Sequence, residues 1–145
     1  MGHTIDETML YIISLTCCVR KGDVPAATLA LLIELGFSPS SDGFTYLRKA
    51  IHLQYLDQRK RASDIYPEIV AYFGSGTTVQ QVEHAILTAI DSAWKSRNEE
   101  TWEYFFDEKK IGKKKRPGNK EFIAHIACIM ELWFSHCQEV SYEIQ

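Results

Sequence analysis

The feature that most constrains the fold is the recurrence of apolar residues at helical spacing, interrupted by breakers at regular intervals. In 77-TTVQQVEHAILTAIDSAW-94, apolar residues fall at i, i+3 and i+4 and leave a polar face opposite. Similar segments fill the chain, separated by breaks such as 22-GDVP-25 and 74-GSG-76. Alternation typical of strands is nearly absent. The sequence therefore predicts an all-α, compact bundle of six to seven helices.

Start and stop signals set the expected helix bounds. Gly36 suits a left-handed cap, and Thr77 or Thr78 can open the fifth helix, since each has a glutamine three residues on, as in a capping box. The predicted helices run from Asp6 or Thr4 to about Arg20, from Pro25 to Glu34 or Leu35, over 44–58, over 62–73, over 77–95, over 99–106, and from Glu121 to about His136.

Length and composition favour one domain. A chain of 145 residues that is 46% hydrophobic can bury a sizeable core. The sequence shows neither a membrane span nor a signal peptide, so we expect a cytoplasmic protein without a membrane partner. We divide the chain into an N-terminal extension helix (1–24), a helix-turn-helix domain (25–138) and a C-terminal tail (139–145).

Neither a metal site nor an active site is indicated. The four cysteines lack the spacing of a disulfide framework, and we interpret them as reduced core thiols. A zinc site would need paired ligands of the C-x2-C type. The His and Cys residues near the end of the chain lack this pairing, so we interpret them as ordinary helix-packing residues. No motif for hydrolysis or nucleotide binding occurs, so we expect no enzyme and no cofactor. The zinc-ligand candidates are His125, Cys128, His136 and Cys137.

A short helix, a Gly-containing turn and a longer capped helix have the form of a helix-turn-helix. Any helical bundle contains such pairs, so this pattern alone is weak evidence for DNA binding. On the longer helix, the side chains expected to face outward are the candidates for reading base edges. They are Gln80, Gln81, Glu83, His84, Leu87 and Thr88.

Charge is concentrated in one loop. The formal net charge is −3, which is poor for a DNA binder because backbone affinity comes largely from cation release. The loop 109-KKIGKKKRPGNK-120, however, carries only positive charge, and the cluster 59-RKR-61 adds to it. A solvated loop without a partner is the alternative interpretation. The candidate phosphate ligands are Arg59, Lys60, Arg61, Lys113, Lys114, Lys115, Arg116 and Lys120.

Four blocks read in order give a family resemblance: 36-GFSPSSDGFTYLRKAI-51, 66-YPEIVAYF-73, 77–94 and 116-RPGNKEFIAHIA-127. Over residues 28–135 or so, the chain resembles the C-terminal effector domain of the stage-zero sporulation response regulator of Firmicutes. The resemblance implies an all-helical domain that binds short promoter boxes in double-stranded DNA and contacts the sigma subunit of RNA polymerase. It also implies that the helix over 62–73 is the supporting helix of the helix-turn-helix. The following helix would then enter the major groove and read the bases.

The sequence departs from that family on the reading helix. Glu83 matches the family's glutamate, and a carboxylate can accept a hydrogen bond from the cytosine amino group. Where the family typically carries arginines, however, this chain has Gln81, His84 and Leu87. These side chains cannot fork onto guanine or neutralise phosphates as arginine does, so the family's box preference is not transferred.

The family's receiver domain has no counterpart in the first 25 or so residues, which show neither a parallel-sheet pattern nor an acidic pocket. We expect a stand-alone relative or a new N-terminal helix in its place, without phosphorylation-driven dimerisation. That helix either covers the core or forms a homodimer contact. Two functions stay open: a DNA-binding transcription regulator, or an interaction module that has lost DNA binding and modulates a sporulation regulator or a sigma factor.

Overall fold

The computed structural model describes side chains for residues 22–74, 76–106 and 115–135, and its last helix continues as backbone to Ile144. The described part contains helices and no strand, which confirms the all-α prediction. The helix predicted to end near Arg20 lies outside the described residues. The same is true of Lys113 and Lys114. The helices are α1 (Val24–Glu34), α2 (Asp42–Leu56), α3 (Ala62–Phe73), α4 (Val79–Lys95), α5 (Glu99–Phe105) and α6 (Asn119–Ile144).

Local signals fix both ends of α1. The Asp23 side chain accepts a hydrogen bond from the Ala26 N–H at 3.0 Å, which satisfies one of the free donors of the first turn. At the other end, Gly36 has a φ of 93° and the Phe37 N–H donates to the Leu32 carbonyl at 3.0 Å. This is a Schellman cap, so the predicted left-handed cap at Gly36 is confirmed.

Most helix bounds lie within two residues of the prediction, and the start of α2 and the end of α6 show what moves them. Helix α2 begins at Asp42, before the predicted position 44, because the Ser41 side chain accepts the Phe44 N–H at 3.1 Å. Helix α6 continues to Ile144, well past the predicted end near His136. No Gly or Pro follows His136 to break it. The segment that we assigned to a tail is therefore part of α6 as far as Ile144.

Helix α2 lies at the centre of the bundle and packs against α1, α3, α4 and α6. Its apolar face is fully buried, as are the facing stripes of its neighbours, so each of these helices contributes to a single core. Side chains with no exposed surface include Leu31, Leu47, Ile51, Ile69, Ile86, Ile90, Phe122 and Ile126.

Gly43 in α2 makes a close helix crossing with α4. A Cβ placed on Gly43 would overlap the Ala85 carbonyl of α4 and lie 2.8 Å from the Ala89 Cβ. Only a glycine permits this approach. The position of α4 in the bundle is therefore fixed by a contact that has no room for any side chain on α2.

An aromatic cluster holds α5 against α1 and α6. Trp102 stacks on Phe106 with ring centroids 5.2 Å apart, and its indole N–H donates to the Leu35 carbonyl at 3.1 Å. Within and around this cluster, Trp102, Phe105 and Phe106 are buried, and Trp94 and Trp133 are partly buried. Tyr104, in contrast, lies on the outer face of α5 and is 67% exposed.

Cys128 is a free thiol but is exposed, so its assignment to the core was wrong: Ile126 and Ala127 take the buried face of that turn. None of the helices in the described residues is long and apolar enough to cross a lipid bilayer.

Candidate nucleic-acid interface

Helices α3 and α4 form the predicted helix-turn-helix. Gly74 and Gly76 in the connection have φ values of 89° and 91°, a region that L side chains rarely adopt. Thr78 is the N-cap of α4. It is one of the two residues, Thr77 and Thr78, that the sequence offered for this position. The turn thus ends α3 at Phe73 and reorients the chain before α4 begins.

The six candidate base-reading side chains share one exposed face of α4. The opposite face is buried against the core through Val82, Ile86, Ile90 and Ala93. Leu87 is a large apolar side chain that is nevertheless 40% exposed. The structure thus brings the candidates together at the surface, where their reading of bases stays a prediction. The exposed residues are Gln80, Gln81, Glu83, His84, Leu87 and Thr88.

Gln81 already has a structural role. Its side-chain oxygen accepts the Thr78 N–H at 3.0 Å, and its own N–H donates to the Thr78 hydroxyl at 3.2 Å. This reciprocal pair is the capping box. Because bidentate pairing with adenine needs the amide oxygen as well as the nitrogen, Gln81 would have to share that oxygen with its capping bond or give the bond up.

Asp91 is an acidic residue on the exposed side of α4, and it forms two ion pairs. Its carboxylate lies 2.9 Å from the Lys95 ammonium and 3.5 Å from the Arg116 guanidinium. Arg116 belongs to the end of the basic loop. Asp91 therefore attaches that loop to α4, a role that its position in the sequence did not indicate.

Asn119 makes a second attachment. Its side-chain amide donates to the Glu83 carbonyl at 2.9 Å and lies 3.3 Å from the Tyr66 hydroxyl. Burial raises the pKa of Tyr66 and the nearby Glu83 carboxylate raises it further, while the bond with Asn119 lowers it. One amide thus joins α3, α4 and the start of α6. The sequence analysis did not predict this role of Asn119. Its position after Gly118, at the start of a helix, is the sequence feature that could have indicated it.

The basic candidates divide into two groups. Lys115 and Lys120 are exposed and, within the described residues, form no ion pair, while Arg116 is shared with Asp91. This group flanks the exposed face of α4. Helix α4 and the described end of the loop therefore form one continuous surface.

The cluster at residues 59–61 is placed differently. It precedes α3, at the end of that helix away from the turn, and each cation has a carboxylate partner: Lys60 with Glu68 at 2.6 Å, Arg61 with Asp64 at 3.7 Å and Arg59 with Asp57 at 3.5 Å. The backbone hydrogen bond from Arg59 is the main cause that lowers the pKa of Asp57. The Arg59, Lys60 and Arg61 charges are thus largely balanced locally.

The described residues contain no cluster of three or more His, Cys, Asp or Glu side chains that could hold a metal ion. His125 is instead hydrogen-bonded to the Phe105 carbonyl. This bond links α6 to the end of α5, so the ring has a structural partner in the fold.

A comparison with protein families agrees with the geometry. The family model described as "Sporulation initiation factor Spo0A C terminal" matches residues 28–130. The match includes α2, the whole helix-turn-helix, and the Arg116 and Asn119 attachments. The chain therefore belongs to the family of the Spo0A C-terminal domain, the DNA-binding effector domain of a sporulation transcription regulator and not an enzyme family.

Proposed function

We propose that this chain regulates transcription by binding duplex DNA, with α4 in the major groove and the basic segment that ends at Lys120 on the phosphates beside it. The observation that carries the proposal is the attachment of that segment to α4 through Asp91 and Asn119. Phosphate contacts position a protein on the duplex, and base contacts supply the sequence preference. The two jobs fall here on adjacent parts of one surface.

The base contacts follow from side-chain chemistry. Gln80 is exposed and outside the capping box, so its amide is free to pair with the N6 and N7 edge of adenine. Glu83 can accept from a cytosine amino group, and Leu87 can contact a thymine methyl group. His84 and Thr88 complete the surface. The preferred box should thus differ from one read by arginines.

Affinity should be moderate and should depend strongly on salt. A phosphate approaching Arg116 has to compete with Asp91, and Glu83 on α4 repels phosphates that come close. Lys115 and Lys120 have no such competitor within the described residues. Binding should therefore be easiest to detect at low ionic strength, where screening is weakest.

Selection from random duplex DNA at low salt tests the proposal. We expect the full chain to enrich one motif, and we expect the variant in which Lys113, Lys114, Lys115 and Arg116 are changed to Ala to lose the enrichment. Arg59→Ala with Arg61→Ala is the matched control, since those cations are paired locally, and it should retain most binding. Failure of the wild-type chain to enrich any motif would contradict the proposal.

A second candidate function is a protein-interaction module. It is favoured by the local pairing of residues 59–61 and by the lack of any arginine on the exposed face of α4. Such a module would bind a sporulation regulator or the sigma subunit of RNA polymerase. Binding of purified sigma subunit without any DNA motif in the selection would favour this second function over the first.

A further inference from the structure

A groove of about 370 Å³ lies between α1, α2 and the end of α3. One wall is a stripe of α2 that carries Thr45, Arg48, Lys49 and His52, and the facing wall is formed by Tyr72 and Phe73. Tyr72 is 65% exposed and Phe73 39% exposed. Two large aromatic side chains thus border a concave surface that remains open to solvent.

Pro25 and Thr28 of α1 close one side of the groove. The Thr28 hydroxyl donates to the Val24 carbonyl at 2.9 Å and is therefore already satisfied. The charged side chains of the groove, Arg48 and Lys49, consequently both come from α2.

The groove is cationic and its charge is not balanced. The Lys49 ammonium lies 3.9 Å from the centre of the Tyr72 ring, and the Arg48 guanidinium lies 5.9 Å from the Phe44 ring. Neither cation forms an ion pair within the part of the chain that the structure describes, and none of the described lining residues is acidic. Arg48 and Lys49 thus differ from the cations at 59–61, each of which has a carboxylate partner. Two unpaired cations side by side are notable in a chain of net charge −3.

His52 adds a polar atom without a partner. Its Nδ1 is buried and accepts or donates no hydrogen bond within the described residues. A buried polar atom of this kind is costly unless a ligand or water satisfies it. The ring lies in the same stripe as Arg48 and Lys49.

The groove faces away from the proposed DNA surface. With 100° per residue around a helix, positions 45, 48, 49 and 52 lie between about 140° and 240° from position 43. Gly43 is where α2 meets α4. A duplex lying on the exposed face of α4 is thus separated from this stripe by the body of α2.

We propose that this groove binds an acidic segment of a partner protein that also carries an aromatic or aliphatic side chain. Carboxylates would pair with Arg48, which offers a planar fork of donors, and with Lys49. The apolar side chain would pack on Tyr72 and Phe73, and such aromatic-lined, desolvated contacts commonly dominate binding energy. A concave site with exposed aromatic walls fits a side chain better than a phosphate backbone. The inference stands independently of the DNA-binding proposal.

Selection of random displayed peptides on the immobilised full chain tests this inference. We expect enrichment of peptides rich in Asp and Glu that share an aromatic or aliphatic position. A synthetic copy of an enriched peptide should shift the amide NMR signals of Thr45 and His52. The double variant Arg48→Glu with Lys49→Glu should weaken its binding roughly tenfold or more, because two charge-assisted contacts are lost.

Lys115→Glu with Lys120→Glu is the matched control: it reverses two other unpaired cations and should leave peptide binding unchanged while weakening duplex binding. Circular dichroism should show that both double variants stay folded. Enrichment of no peptide, enrichment of basic peptides, or equal binding by the Arg48/Lys49 variant would overturn the inference. Loss of duplex binding in the Arg48/Lys49 variant without any effect on the peptide would do the same, since it would assign the groove to DNA.

Discussion

Asn119 connects the basic segment to both helices of the helix-turn-helix through one side-chain amide. We expect Asn119→Ala to lower the free energy of unfolding by about 1–2 kcal/mol, because the Glu83 carbonyl and the Tyr66 hydroxyl lose a donor or partner. It should also weaken duplex binding for all sequences, since the phosphate ligands lose their alignment with α4. Denaturant melts and binding assays measure the two effects.

Asn98→Ala is the control for that substitution. Asn98 caps α5 by accepting the Thr101 N–H at 3.1 Å, so its loss should cost a similar free energy, about 1 kcal/mol. It lies outside the proposed interface. If the two variants reduced duplex binding equally, the effect of Asn119→Ala would be one of stability alone.

The two glutamines at the start of α4 should behave differently. Gln80→Ala should change the selected base at one position and leave stability nearly unaltered. Gln81→Ala removes half of the capping box and should cost about 0.5–1 kcal/mol of stability without changing the preferred box. Thermal melts and selection from random duplexes measure both. If Gln81→Ala changed the selected base and Gln80→Ala did not, Gln81 would be the residue that reads the base.

His52 should titrate below its ordinary value. Burial lowers its pKa from 6.5, and the nearby Lys49 charge lowers it further. The unfolded chain then binds a proton more readily, so the stability present above pH 6.5 is lost as the pH falls below it. NMR titration of the ring protons should give a pKa under 6.5. His52→Gln should reduce the loss of stability between about pH 7 and pH 5; an unchanged profile would contradict this origin.

At the scale of elements, the crossing of α2 and α4 depends on Gly43. Gly43→Ala should lower the free energy of unfolding by about 1–3 kcal/mol, the usual cost of overpacking, because its methyl group meets the Ala85 carbonyl and Ala89. Gly118→Ala is the matched control, since nothing lies within 4 Å of a Cβ there. Denaturant melts compare the two. Equal stability of both variants would show that the crossing adjusts easily.

Helix bounds were largely predictable because the signals that start and stop helices are local. The start at Thr78 and the stop at Gly36 each depend on residues within one turn. The end of α6 was predicted near His136 although the sequence after it contains no Gly or Pro, and the helix continues to Ile144.

The site was predictable only in part. The exposed face of α4 follows from helical periodicity, and all six candidates do lie on it. The partners of Asp91 and Asn119 depend on how α6 approaches α4, which no local pattern specifies. For the same reason the unbalanced charge of Arg48 and Lys49 became visible only once the neighbouring helices were placed.

At the scale of the whole molecule, a chain of net charge −3 can bind DNA only if its cations are concentrated on the surface that meets the duplex. The loop that ends at Lys120 supplies such a concentration, and its described end, residues 115–120, is attached to the helix that carries the candidate base contacts. The acidic remainder of the chain should then oppose non-specific binding elsewhere on the molecule.

The salt dependence of duplex binding tests this account most directly. Five phosphate contacts, from Lys113, Lys114, Lys115, Arg116 and Lys120, predict a slope of log affinity against log salt of about −4 to −5. Changing the first four to Ala should bring the slope to roughly −1. A wild-type slope near zero, or the same slope in both proteins, would contradict the claim that this segment holds the phosphates while α4 reads the bases.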